Sequence, residues 1–246
     1  MMTEARENII KRLQKDILGW QGFTPPAAGE RKGIGLGPIE DAFPNGIFPT
    51  GNIHEMLCAE KEQAAATSGL MMGILSVLMK NNGACIWIST GRKFFPPSAH
   101  HFDVAAHRLV FIDTQRERDT LWVMEEALKC EGVAAVIAEV NELSFAQSRR
   151  LQLVVEASKV TGFVLRSDMR KLSTTTCVAR WQVSPLPSQA EGGMPGVGFP
   201  RWQVELLRVR NGLPGTWQLS WSNKSFTWAN EQELETTYTD LQLQVG

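Results

Sequence analysis

The sequence has few of the residue patterns that announce a chemistry. Its four cysteines, Cys58, Cys85, Cys130 and Cys177, stand singly, without the spacing of a zinc site or a disulfide framework. They read as reduced core residues of a cytoplasmic protein. The four histidines, His54, His100, His101 and His107, add no ligand pattern, so no metal is expected. No run of about 18 apolar residues exists, which excludes a helical membrane span. Residues 1–16 are charged and amphipathic and lack the apolar stretch of a secretory signal. No internal repeat or low-complexity tract occurs.

What is present is enough chain for one large domain with extensions, 246 residues at 43% hydrophobic content. The net charge of −1 hides an uneven distribution. Residues 1–143 carry 14 Lys/Arg against 18 Asp/Glu, residues 144–226 carry 11 against 4, and residues 227–246 carry none against 4. A basic middle followed by an acidic tail suits a surface that meets nucleic acid or an acidic partner; it equally suits a basic sheet edge and a solvated tail.

Four segments follow. Residues 1–22 form an amphipathic helix with Ile9, Ile10, Leu13 and Ile17 on one stripe, either packed on its own domain or offered to a partner. Residues 23–37, rich in Pro and Gly, read as a linker. Residues 38–226 form the core, and residues 227–246 an acidic tail that is disordered or adds a strand in a complex. In the core, strands are expected at Ile53–Leu57, Ala84–Ser89, Leu109–Asp113, Val133–Glu139, Gly162–Arg166, Cys177–Val183, Trp202–Arg208 and Trp217–Trp221. Helices are expected at Ala64–Met79, Arg118–Cys130 and Phe145–Ser158, with a weaker one over Ser98–Ala106. The first five strands are short, apolar and separated by helices, the pattern of a parallel sheet covered on both faces. The last three are separated by turns and make an antiparallel extension.

Residues 53–69 hold an apolar strand, a small-residue turn and a long apolar helix. This is the frame of a phosphate-binding loop, in which G-x-x-x-x-G-K-[ST] fills the turn. Here Cys58 and Gln63 replace the two glycines, and Ala64 and Ala65 replace the lysine and the hydroxyl residue. Glu60 and Glu62 add negative charge beside the place a triphosphate would take. A like-charge pair at 4 Å costs about 4 kcal/mol at an effective dielectric near 20. No carboxylate follows the next strand, where the matching position is about Gly91, and Glu139 ends the strand that would organise Mg²⁺. The pattern predicts neither nucleotide binding nor hydrolysis.

Gly46-Ile-Phe-Pro-Thr-Gly51, the strand–helix–strand order after it and Arg208-Val-Arg-Asn-Gly212 together resemble the core of RecA-type recombinases. More closely, and most specifically over Trp202-Gln-Val-Glu-Leu-Leu-Arg-Val-Arg-Asn-Gly-Leu-Pro-Gly-Thr-Trp217, residues 33–226 resemble the ImuA family, RecA-like proteins of bacterial mutagenic translesion synthesis. The resemblance implies a RecA-like α/β core: a mostly parallel sheet flanked by helices, with an antiparallel C-terminal extension. It also implies a non-enzymatic, cofactor-free accessory protein of error-prone, SOS-linked DNA repair. Such a protein bridges a Y-family polymerase-like ImuB and RecA or DNA, and through ImuB an error-prone replicative-type polymerase.

RecA proteins use a long DNA-contacting loop after the strand matched by Gly162–Arg166. Here only Ser167–Thr176 fills that interval, and it is basic: Arg166, Arg170 and Lys171, with Arg149 and Arg150 on the preceding helix. These are candidate contacts to DNA or an acidic partner; the alternative is a solvated helix face and turn. Arg92, Lys93, Phe94 and Phe95 form a second candidate, an edge loop that stacks bases, anchors a partner or simply lids the helix ends. The rival readings are a SulA-type cell-division inhibitor and an ATP-dependent RecA-like recombinase.

Overall fold

A computed structural model describes residues 12–13, 33–80, 83–91, 94–170, 172–189 and 198–228. Its strands are β1 (Ile53–Leu57), β2 (Ala84–Ser89), β3 (Leu109–Asp113), β4 (Val133–Val140), β5 (Thr161–Arg166), β6 (Ala179–Gln189), β7 (Phe199–Val209), β8 (Gly215–Ser222) and β9 (Ser225–Trp228). Its longer helices are α1 (Lys61–Leu78), α2 (Glu117–Ala127) and α3 (Phe145–Ser158). Nine strands form one sheet in the order β3-β2-β4-β5-β1-β6-β7-β8-β9. β1 to β5 are mutually parallel, β6 runs parallel to β1, and β6 to β9 pair antiparallel.

The central strands are apolar on both sides because both sheet faces are covered. α1 lies on one face, where Met56, Trp87, Phe163 and Trp181 join Leu70, Ile74 and Leu75. α2 and α3 lie on the other, where Ile53, Ile88, Val136 and Val164 join Met124, Leu151 and Val155. α1 crosses the antiparallel half through a glycine: a Cβ on Gly73 would lie 2.4 Å from the Phe226 ring. That approach lets Trp202 and Trp221 pack edge-to-face with Phe226 over the helix. α3 opens on a full capping box: Ser144 Oγ accepts from the Gln147 N–H at 3.2 Å, and Gln147 accepts from the Ser144 N–H at 2.8 Å.

The sequence-derived elements reappear with altered ends. α1 starts at Lys61, three residues earlier than periodicity suggested, and α2 stops at Ala127. The weak helix over 98–106 is a short 3-10 segment, Pro96–Phe102. β9 was not anticipated; three of its four residues are exposed and only Phe226 is buried, too short a run to show alternation. Ile34 and Leu36, at the end of the Pro/Gly-rich stretch, are buried in the core. Cys130 departs from the expected core cysteines, lying exposed beyond the end of α2. Of the N-terminal helix only Arg12 and Leu13 are described, in helical geometry and exposed; Ile9, Ile10 and Ile17 lie outside the described residues. Residues 229–246 lie outside them as well. Among the described residues no helix is long and apolar enough to cross a membrane, and no group of three or more His, Cys, Asp or Glu is placed to hold a metal.

Candidate functional site: the C-terminal edge of the parallel strands

In an open α/β sheet, ligands meet the carboxyl ends of the strands. The β1–α1 connection at that edge is only Cys58, Ala59 and Glu60. The Cys58 N–H donates to the Arg166 carbonyl at 2.8 Å. The Ala59 N–H donates to Gln63 Oε1 at 3.1 Å, so a side chain from the first turn of α1 folds back into the turn. Glu60 is the extended N-cap, and its carbonyl accepts from Ala64. A phosphate-binding loop wraps its ligand with free backbone N–H groups. Here the turn is short and two of its three N–H groups have internal acceptors.

Glu139, the penultimate residue of β4, accepts a hydrogen bond from Trp87 Nε1 at 2.7 Å. Trp87 is buried and stacks on Phe94, with ring centroids 4.7 Å apart, and Phe94 stacks in turn on Phe111 at 6.0 Å. Phe94 is therefore a lid over the ends of β2 and β3, whereas Phe95 is 69% exposed. Arg92 and Lys93 lie outside the described residues.

A cleft of about 1370 Å³ opens between the segments after β4 and β5 and the start of α2. Asn141, Phe145, Arg166, Asp168, Arg170 and Ser173 are among its walls. Glu117 anchors one side, accepting from the Asn141 N–H at 2.5 Å and the Glu142 N–H at 3.0 Å. Of the basic candidates, the structure brings Arg166 and Arg170 to this cleft. Arg149 and Arg150 sit on the exposed face of α3, and Lys171 lies outside the described residues. Each described candidate has an acidic neighbour: Arg170 with Asp168 at 2.8 Å, Arg150 with Glu125 at 2.6 Å, Arg149 with Glu156 at 4.0 Å, Arg166 with Glu55 at 3.1 Å. The Arg170 guanidinium holds the Asp168 carboxyl down to about 2. Three of these cations are exposed enough to exchange partners at little cost.

Arg166 differs, being 1% exposed. Its partner Glu55 is fully buried in β1 and also accepts from Arg180 Nε at 2.8 Å and Thr175 Oγ1 at 3.0 Å. Arg208 reaches the same group through Thr175, at 3.2 Å. Glu55 and Arg180 are not among the candidates the sequence offers, and Arg208 enters there only within the Arg208–Gly212 stretch. The available signal was a lone carboxylate in an otherwise apolar buried strand, which demands cationic partners.

No family model matches the chain. Over 193 residues it is 34% identical to Protein ImuA of Caulobacter vibrioides, from strains NA1000 and ATCC 19089 alike, covering 74% of this chain and 79% of the relative. The chain belongs to the ImuA family. Its fold is RecA-like: the crystal structure of the RadB recombinase superposes with a TM-score of 0.53 over 75% of this chain and 94% of that one, at 11% identity. Within this ImuA-family frame, the cleft and the closed turn occupy neighbouring stations along one sheet edge.

Proposed function

We propose that the protein is a non-enzymatic accessory factor of error-prone DNA repair, joining a Y-family polymerase-like ImuB to RecA or DNA. Membership in the ImuA family ties the chain to the ImuA/ImuB system of damage-induced mutagenesis. The observation that carries the non-enzymatic part is the three-residue β1–α1 turn closed by Gln63. A triphosphate there would have to displace an internal hydrogen bond and sit beside Glu60 and Glu62, with Ala64 at the position of the motif lysine and the one nearby cation, Lys61, flanked by those two acids. Glu139 is engaged by Trp87, which further argues against a working metal site.

The bridging role rests on surfaces away from that turn. The cleft offers Phe145, 57% exposed, beside the exchangeable Arg170. An exposed aromatic next to an exposed arginine is the composition of a protein-binding hot spot. The test has two arms. Calorimetry with MgATP is expected to show no binding; micromolar affinity would overturn the non-enzymatic reading. Tagged protein recovered from cells after DNA damage is expected to carry the ImuB-like polymerase homologue. Its absence, with the protein folded and expressed, would remove the bridging role.

A further inference from the structure

Beneath Ser173–Thr176, three guanidiniums face one carboxylate. Glu55 is fully buried; Arg166, Arg180 and Arg208 surround it directly or through Thr175. Glu55 offsets one of the three charges. Asp168, nearby on the cleft side, is chelated by Arg170 through both carboxylate oxygens and faces Arg166, not Arg180 or Arg208. Arg180 and Arg208 stand directly opposite each other in the β6–β7 register, so their charges repel at close range. Burying cations without matching anions is costly.

The hydrogen bonding is incomplete at the same place. Arg208 Nη2 donates to Thr175 Oγ1 and to the Cys177 carbonyl at 2.9 Å, but its Nε is buried with no partner. Thr176 Oγ1 is buried without a partner too. Only one other such side-chain atom, on Thr67, occurs among the described residues. The group borders the cleft: Ser173, whose carbonyl accepts from Arg180 Nη2, and Arg166 both line it.

The geometry points to a phosphate-binding site in which Arg180, Arg208 and the Thr176 hydroxyl hold one phosphate group that enters from the cleft. Planar guanidiniums in pairs are suited to phosphate oxygens, and the hydroxyl completes the donor set. The phosphate is either a free ion or one unit of a single-stranded DNA backbone. The site lies off the closed β1–α1 turn and does not depend on the accessory role.

The experiment compares the wild-type chain with Arg208→Met and, as a control, Lys129→Met, an exposed cation just past the end of α2. Arg208 makes no bond to Glu55, so its loss leaves that carboxylate its direct partners. Thermal unfolding is followed in phosphate and in chloride at equal ionic strength. Inorganic phosphate is expected to raise the midpoint of the wild type and of Lys129→Met, with binding weakened about tenfold or more in Arg208→Met. Equal shifts in all three, or none in the wild type, would overturn the site. Should Arg208→Met fail to fold, Arg208→Lys serves: it keeps the charge but loses the planar fork, and unchanged phosphate binding in it would count against the site. A fluorescent oligo(dT) then identifies the source. Weaker binding by Arg208→Met assigns a backbone phosphate, and unchanged binding assigns the free ion; either agrees with the phosphate shift.

Discussion

Replacing Glu55 with Gln should be among the most damaging single changes in the molecule. The substitution keeps the volume and removes one charge. In the native structure that charge, fully buried, accepts from Arg166 at 3.1 Å, Arg180 at 2.8 Å and Thr175 at 3.0 Å. Glutamine offers one oxygen in place of two and turns an N–H₂ group toward a guanidinium. Arg166, 1% exposed, would lose its buried carboxylate partner. Removing one partner of a buried ion pair typically costs about 3–5 kcal/mol. For a chain of this size each kcal/mol lowers the melting midpoint by roughly 2–4 °C, so a fall of about 6–20 °C is expected. The assay is thermal unfolding by circular dichroism in phosphate-free buffer at neutral pH. The surplus of cations supplies an internal check: adding Arg208→Met to Glu55→Gln should recover about 1 kcal/mol or more, because neighbouring sites in one charge network do not add. A midpoint within about 2 °C of wild type for Glu55→Gln, or a double mutant worse than the two single changes combined, would refute the reasoning.

Other consequences are open to direct measurement. His54 is fully buried, stacked on Phe48 at 4.6 Å, with Nδ1 accepting from Trp181 Nε1 and Nε2 donating to the Pro49 carbonyl. Burial lowers its pKa to about 4. The unfolded chain therefore binds the extra proton first, and stability falls as pH drops from about 6.5 toward 4. Urea midpoints should show about 2 kcal/mol lost by pH 5 relative to neutral pH, and a flat profile would contradict the assignment. Restoring the missing side chains with Ala64→Lys and Ala65→Ser should give no MgATP binding by calorimetry, since the turn is too short and closed by Gln63. Gly73→Leu should destabilise by about 1–3 kcal/mol in urea unfolding, because Phe226 occupies the space any Cβ would need. Deleting residues 1–22 should abolish association with RecA in a pull-down if the amphipathic helix is a docking arm.

Much of the frame was legible because its strands are short, apolar and punctuated by helices. β1, β2, β3 and α3 coincide with the segments read from the sequence. The antiparallel half was legible through its turns, and Trp181, Trp202 and Trp221 are buried as strand tryptophans usually are. β9 escaped because four residues cannot display an alternation. The start of α1 escaped because Lys61, Glu62 and Gln63 are polar, and the apolar period begins only after them. The site was less legible for a different reason. Charge content along the chain says nothing about pairing, so the basic stretch concealed that Arg149, Arg150, Arg166 and Arg170 each have an acidic neighbour. The Glu55 group joins residues more than 100 positions apart, and only the β5–β1–β6–β7 register brings them together.

The Ala59–Gln63 hydrogen bond has a temporal consequence. Proteins built on an open phosphate loop carry their own timer: loading and hydrolysis set when a surface is presented and when it is withdrawn. On the non-enzymatic reading proposed above, a turn with two of its three donors consumed internally has no such timer. The surfaces around it would be standing features of the folded chain, with occupancy set by concentration and affinity and the lifetime of any complex set by its dissociation rate alone.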